Sequence, residues 1–147
     1  MNKNKWLFFV IAFMGFLQAA HAKIVCEAKH TLYHDDFEIK ATYRFVVSDD
    51  NGVILINGTS RSDRQQYTLS REVYFSYHKQ SGNDYILSSN RIIKNPIDTL
   101  PETLALKHYP VFFIEKDNKL TFFIKHVNRT DYIISFVSTP LFYCNGT

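Results

Sequence analysis

One short stretch of the sequence, "YHDDFE" at residues 33–38, carries side chains that could bind a cation. His34 offers an imidazole, and Asp35 and Asp36 offer two carboxylates, which are ligands that divalent metals accept. Adjacent residues on a strand point to opposite faces, so at most two of the three can converge unless the chain turns there. Because aspartate favours turns through local hydrogen bonds, the stretch predicts a solvated turn between two strands rather than a metal site.

The sequence lacks the motifs of catalysis and nucleotide binding. It has no G-x-S-x-G turn, no H-E-x-x-H pair and no couple of carboxylates in an apolar setting. His108 and His126 stand alone near predicted strands, and we interpret them as structural residues. The glycines are too far apart for a phosphate-binding loop: they are Gly15, Gly52, Gly58, Gly82 and Gly146. We therefore expect no enzymatic activity, no bound metal and no cofactor.

The two cysteines, Cys26 and Cys144, lie near the two ends of the region that follows the N-terminal segment. In an exported protein such a pair predicts a disulfide, which would tie the first strand to the last. Closing so long a loop contributes about 4 to 5 kcal/mol in the chain-entropy model. The alternatives are a metal pair or a reactive thiol, but no further cysteine or nearby histidine supplies the spacing of a metal site.

The N-terminal segment has the layout of an export signal. Lys3 and Lys5 form a charged end, residues 6–17 are apolar, and Ala20 and Ala22 frame an A-x-A cleavage site. The apolar part is shorter than the roughly 20 residues that a membrane-spanning helix needs. We expect cleavage after Ala22 and release into the periplasm. The alternative is that the segment stays as an inner-membrane anchor, with the rest of the chain facing the periplasm.

Residues 23–147 have the size of one domain and are expected to form a single core. The net charge of the whole chain is +3 and includes two lysines of the N-terminal segment. The remaining basic residues are scattered rather than clustered. A nucleic acid or an anionic membrane surface is therefore not expected as a partner.

Apolar residues in this region recur with the period of two that is typical of strands. Residues 37–47 show the alternation best, and Asn51-Gly52 after them predicts a turn and a hairpin with a returning strand. Turn-forming residues separate the further segments. The eight predicted strands are Ile24 to Tyr33, 37 to 47, Val53 to Ser60, Gln66 to His78, Tyr85 to Ile93, Val111 to Lys116, Leu120 to Val127 and Asp131 to Val137.

One segment, residues 95–110, interrupts the strand pattern. Pro101 and Glu102 favour a short helix there, which could be a lid or plug over one end of a barrel, or simply a long connection. The strand spacing predicts an all-β fold, an antiparallel closed or partly open barrel of about eight strands that is lipocalin-like. An aromatic content of 16% could line a ligand cavity or fill a plain core.

The predicted hairpin of residues 109–127 suggests a binding surface. If "KDNK" makes its turn, Phe112, Ile114 and Phe123 share one face, which is too apolar for a strand pair that only meets water. We expect these three residues to contact a partner protein through an aromatic anchor. The alternative is that the segment 95–110 folds back over them.

Four stretches of the chain carry a family resemblance: Cys26, "REVYFSYHK" at 71–79, "YILSSNRIIKNPIDTLPE" at 85–102, and "STPLFYC" ending at Cys144. With these, the chain resembles the FidL-like family of small enterobacterial proteins, which are typically encoded beside ToxR-like transcription regulators. The resemblance implies a non-enzymatic accessory protein that binds the periplasmic sensor domain of such a regulator. That role is similar to the role of ToxS-type proteins, which form β-barrels with their regulator and in some systems bind bile salts. Many relatives keep an N-terminal membrane anchor, and the A-x-A sequence departs from that pattern.

Three classes of function follow from these observations. The first is the accessory protein, which predicts an exposed apolar patch or an unpaired strand edge. The second is a free periplasmic carrier of an apolar small molecule such as a bile salt, which predicts a barrel with a cavity. The third, a hydrolase or an inhibitor of one, would need a serine or histidine beside a carboxylate in a cleft.

Overall fold

The computed structural model describes residues 23–136 and 142–147. The N-terminal segment lies outside the described residues, so Ala20 and Ala22 remain a predicted cleavage site. None of the helices in the described part could span a lipid bilayer.

Eight antiparallel strands close into a barrel, and each strand pairs with the next in chain order until β8 returns to β1. The predicted all-β barrel with one short helix is confirmed. The strands are β1 (Ile24–His34), β2 (Phe37–Val47), β3 (Asn51–Ser62), β4 (Gln65–Ser81), β5 (Asp84–Lys94), β6 (Lys119–His126), β7 (Tyr132–Phe136) and β8 (Phe142–Gly146). Between β5 and β6 the chain forms the helix α1 (Glu102–His108) and a 3₁₀ helix (Val111–Phe113).

The alternation of β2 sets which side chains fill the barrel. Its odd-numbered positions are all buried: Phe37, Ile39, Ala41, Tyr43, Phe45 and Val47. The hairpin with β3 is also confirmed, but its turn comes earlier than predicted. Val47 pairs with Gly52, and the Ser48 N–H donates to the Asn51 carbonyl, so Asn51 and Gly52 already belong to β3.

Aspartates occupy the left-handed backbone positions of three turns: Asp35, Asp63 and Asp117 have φ of 56°, 54° and 64°. Aspartate tolerates this conformation better than most residues because its side chain hydrogen-bonds locally. The predicted turn at Asp35 and Asp36, between β1 and β2, is therefore confirmed.

The predicted strand over residues 111–116 is wrong. Pro110 precedes the 3₁₀ helix, and the chain then turns towards β6. The physical reason lies in the neighbouring Phe112 and Phe113. Adjacent side chains on a strand face opposite ways, so one ring would leave the core, whereas the 3₁₀ turn allows both to be buried. The eighth strand is instead β8, which was not predicted.

Candidate ligand cavity

An apolar cavity of about 400 Å³ opens at the end of the barrel where β1 begins, here called the N-terminal end. The turns β2–β3, β4–β5 and β6–β7 surround the same end. This volume lies within the range of roughly 300 to 1,000 Å³ that small-molecule sites occupy. The lining residues are Lys23, Ile24, Phe45, Val47, Phe75, Tyr77, Asn83, Tyr85, Leu87, Phe122, Ile124, His126, Tyr132 and Ile134.

The deep wall of the cavity consists of buried apolar side chains from five different strands: Phe45, Phe75, Leu87, Phe122 and Ile134. Each takes an inward position in the alternation of its strand, and the ring of Phe122 lies 5.2 Å from that of Phe136. Since the wall offers no charge, its chemistry suits an apolar ligand.

The rim is polar and aromatic. Tyr77 donates a 2.6 Å hydrogen bond from its hydroxyl to the Ser48 carbonyl, and its ring meets that of Tyr85 edge-on at 6.0 Å. Burial raises the pKa of Tyr77, so it remains a neutral hydroxyl. On the neighbouring strands β6 and β7, His126 stacks on Tyr132 at 4.7 Å. Such groups at the mouth of an apolar pocket can orient an amphipathic molecule.

Lys23 adds one cation to this rim. It forms an ion pair with Asp49, and the hydrogen bond that the ammonium donates to this carboxylate raises the pKa of Lys23. The pair is mostly exposed, so its contribution to stability is small. The ammonium can therefore turn towards an anionic group at the mouth.

A plug, which we define as residues 95–118 between β5 and β6, enters the opposite half of the interior, where a second pocket of about 580 Å³ remains beside it. Phe112 and Phe113 enter the barrel from the plug and meet edge-on at 5.1 Å. Phe112 lies 5.8 Å from the ring of Phe122, which also lines the cavity. The plug therefore fills the core next to the cavity.

This geometry corrects the predicted partner face. Phe112 is 1% exposed and Ile114 is 9% exposed, so both belong to the interior. Phe123 lies on β6 and is half-buried, paired across the strands with Asp84 and Ser135. The three residues therefore do not share one accessible surface.

A buried ionic network joins the plug to the barrel wall, and the sequence reasoning missed it. Arg71 on β4 donates from Nε to Asp98 Oδ2 at 2.9 Å, and the backbone N–H of Ser70 donates to the same oxygen at 2.9 Å. Lys94 donates from Nζ to the Leu100 carbonyl at 2.9 Å. The signal that could have found it is the alternation of β4, because Arg71 is in register with the buried Leu69 and Val73.

The predicted disulfide is confirmed: Cys26 on β1 and Cys144 on β8 are bonded, with their Cα atoms 5.4 Å apart. Among the described residues, the two strands share two paired positions, Cys26 with Gly146 and Glu27 with Asn145. The bond therefore reinforces the closure of the barrel between β1 and β8.

The histidines and carboxylates singled out in the sequence are distributed over both ends of the barrel. His126 lies at the cavity rim, whereas His34, Asp35 and His108 meet at the opposite end. Asp36 is exposed and is not part of that cluster. His108 does not stand alone in the structure, because its Nδ1 lies 2.8 Å from His34 Nδ1.

A family model described as "FidL-like putative membrane protein" matches residues 58–144, which is more than half of the chain. The match includes Arg71 and Asp98 of the network, the plug, and Cys144. A comparison with curated proteins finds no match.

Proposed function

The chain belongs to the FidL-like family, and we propose that it is a non-enzymatic protein that binds one small apolar molecule in the cavity at the N-terminal end of its barrel. The observation that carries this proposal is the cavity itself, about 400 Å³ of space with an apolar wall and a single polar rim. A protein that needed only a stable core would gain from filling this space, because close packing of the interior is favourable.

The ligand class follows from the distribution of polar groups. The wall favours a rigid or branched hydrocarbon body, and the rim offers the Tyr77 hydroxyl, the Asn83 amide, His126 and the Lys23 ammonium to a polar or anionic head group. An amphipathic anion of the bile-salt type has this chemistry. Hydrocarbon burial supplies most of the affinity, at roughly 25 cal/mol for each Å² removed from water.

The proposal is tested by titrating the full-length protein with sodium deoxycholate. Binding is measured as the displacement of a fluorescent anilinonaphthalene sulfonate probe. Ile24 lines the cavity, and its neighbour Val25 on β1 does not. Ile24→Trp should obstruct the mouth and weaken binding at least tenfold, whereas the matched control Val25→Trp should bind like the wild type. The proposal fails if the wild type shows no saturable one-to-one binding, or if both variants bind equally well.

A second candidate function, the accessory partner of a ToxR-like regulator, is favoured by an open strand edge. β5 pairs with β6 only through Asp84–Ser88, and among the described residues no strand continues this pairing along Asn90–Lys94. A groove lies beside this edge, lined by Arg71, Asn90, Arg91, Ile92, Lys94, Glu102, Ile114 and Lys116. Such an edge can accept an added strand from another protein.

The charge of this groove indicates the kind of segment that it would accept. Four of its lining residues are basic and one, Glu102, is acidic. Arg91 is exposed and stacks on the ring of Tyr74 at 4.1 Å, and the Lys116 side chain is 73% exposed. Both cations are therefore available to an acidic segment of the regulator's periplasmic domain.

This second function is tested by co-purification with the periplasmic domain of a ToxR-like regulator. The double variant Arg91→Glu with Lys116→Glu should lose the complex without loss of thermal stability. Lys29→Glu with Lys125→Glu makes the same charge change at exposed positions on β1 and β6 and should leave the complex intact. Equal binding by both double variants would exclude this groove as the interface.

A further inference from the structure

Two histidines and one aspartate, distant in the sequence, meet at the end of the barrel opposite to the cavity. His34 is the last residue of β1, Asp35 begins the turn to β2, and His108 is the last residue of α1. One potential ligand atom from each of the three lies within 4.8 Å of the other two. The closest pair is His34 Nδ1 and His108 Nδ1, which are 2.8 Å apart.

The two imidazole rings are oriented so that the Nδ1 atoms of His34 and His108 face each other. Only one of the two nitrogens can carry the proton if they share a hydrogen bond, and the other must then present its lone pair. A cation between them uses both lone pairs at once. The nearby Asp35 carboxylate adds the negative charge and the third donor that such a cation needs.

The His108 ring is held in place by its surroundings. It stacks on the buried ring of Phe37, with centroids 4.4 Å apart and planes 13° from parallel. This packing keeps the His108 Nδ1 directed towards His34.

We propose that His34, Asp35 and His108 bind one divalent transition-metal ion, with Zn²⁺ the best match. Two imidazoles and one carboxylate are the ligands of three-residue zinc sites, which leave a fourth position for water, whereas Mg²⁺ and Ca²⁺ prefer sites built from oxygen. Tetrahedral Zn²⁺ with bonds of about 2.0 to 2.1 Å places two nitrogens about 3.3 Å apart. The two rings must separate slightly from their present 2.8 Å, and the exposed His34 is free to move.

The ion would act as a clamp, because its ligands come from two different parts of the fold. His34 and Asp35 belong to the barrel, and His108 belongs to the plug. Metal binding would therefore hold the plug against the β1–β2 turn and stabilise the folded state by mass action. This inference does not depend on the apolar cavity, which lies at the other end.

The site is tested by titrating the full-length protein, with its disulfide intact, with zinc chloride. A chromophoric chelator that competes for zinc reports the affinity. We expect one Zn²⁺ per chain and a rise in the thermal midpoint when zinc is added. His34→Gln and His108→Ala should each weaken zinc binding at least tenfold and remove that rise. Asp35→Asn, which keeps a residue that tolerates the positive φ, should weaken binding by a smaller factor.

His78→Ala is the matched control, since His78 is exposed on β4 and lies outside the cluster. It should bind zinc like the wild type. Circular dichroism of the zinc-free His34→Gln variant, which alters an exposed side chain, shows whether the fold persists. The proposal is overturned if the wild type binds no zinc, or if His34→Gln is folded and binds zinc as tightly as His78→Ala.

Discussion

Arg71 and Asp98 form a 2.9 Å ion pair whose two side chains are shut off from solvent, with exposures of 1% and 0%. Arg71 belongs to the barrel wall and Asp98 to the plug, so this pair fixes the plug across the barrel. A buried charge that loses its partner is strongly destabilising, because the remaining charge is no longer solvated by water or neutralised by an opposite charge.

Removing one member of this pair should therefore destabilise the protein. We expect Asp98→Ala to lower the free energy of unfolding by roughly 3 to 5 kcal/mol, measured by urea denaturation with the disulfide intact. Glu102→Gln removes a half-exposed carboxylate that lies 3.4 Å from the same guanidinium, and it should cost about 1 kcal/mol or less. Equal losses in the two variants would contradict the importance of burial.

The Cys26–Cys144 disulfide should contribute substantially to stability, because it joins residues 118 positions apart. Cys144→Ser should lower the free energy of unfolding by roughly 2 to 5 kcal/mol. Peptide mapping without reduction should recover a linked Cys26–Cys144 peptide. Reduction of the wild type should reproduce the loss seen in the variant, and an unchanged urea midpoint after reduction would contradict the prediction.

Phe112 should behave as a core residue. Phe112→Ala leaves a space beside Phe113 and Phe122, and it should cost roughly 3 to 5 kcal/mol in urea denaturation. Phe123→Ala truncates a half-buried ring on β6 and should cost clearly less. If Phe112→Ala unfolds at the same urea concentration as the wild type, the ring is not packed as described.

Asp131 should make the stability of the barrel depend on pH in the acidic range. Its carboxylate accepts hydrogen bonds from the Gly146 N–H, the Asn128 amide and the Tyr143 hydroxyl, and these lower its pKa from 3.8 to about 2. Because the folded pKa lies below the unfolded one, the stabilisation is fully present above about pH 4 and is lost as the pH falls towards 2.

Urea midpoints measured between pH 2 and pH 6 test this dependence. Asp131→Asn should be less stable than the wild type above pH 4, and the two curves should converge near pH 2. Tyr143→Phe removes one of the donors and should give an intermediate curve. A constant difference between the wild type and Asp131→Asn over the whole range would show that the carboxylate charge is not responsible.

Much of the fold was determined by the sequence alone, because it depends on patterns that are local. The alternation along residues 37–47 leaves one apolar face and requires a half-buried strand. The cysteine pair near the ends of this region predicts that the first and last strands lie side by side, and Cys26 and Cys144 are indeed bonded. Aspartates between apolar runs mark turns, as Asp35 does.

The tertiary structure alone decided the features in which distant residues meet. Phe112 and Phe113 fit a strand or a buried 3₁₀ turn equally well by local pattern, and only the space inside the closed barrel selects the turn. The alternation of β4 places Arg71 on the inward face, but only the packing of the plug brings the neutralising Asp98 to it. His34 and His108 are 74 residues apart, and they meet because α1 ends beside the β1–β2 turn. Contacts of this kind depend on how the plug packs across the barrel, which no local preference encodes.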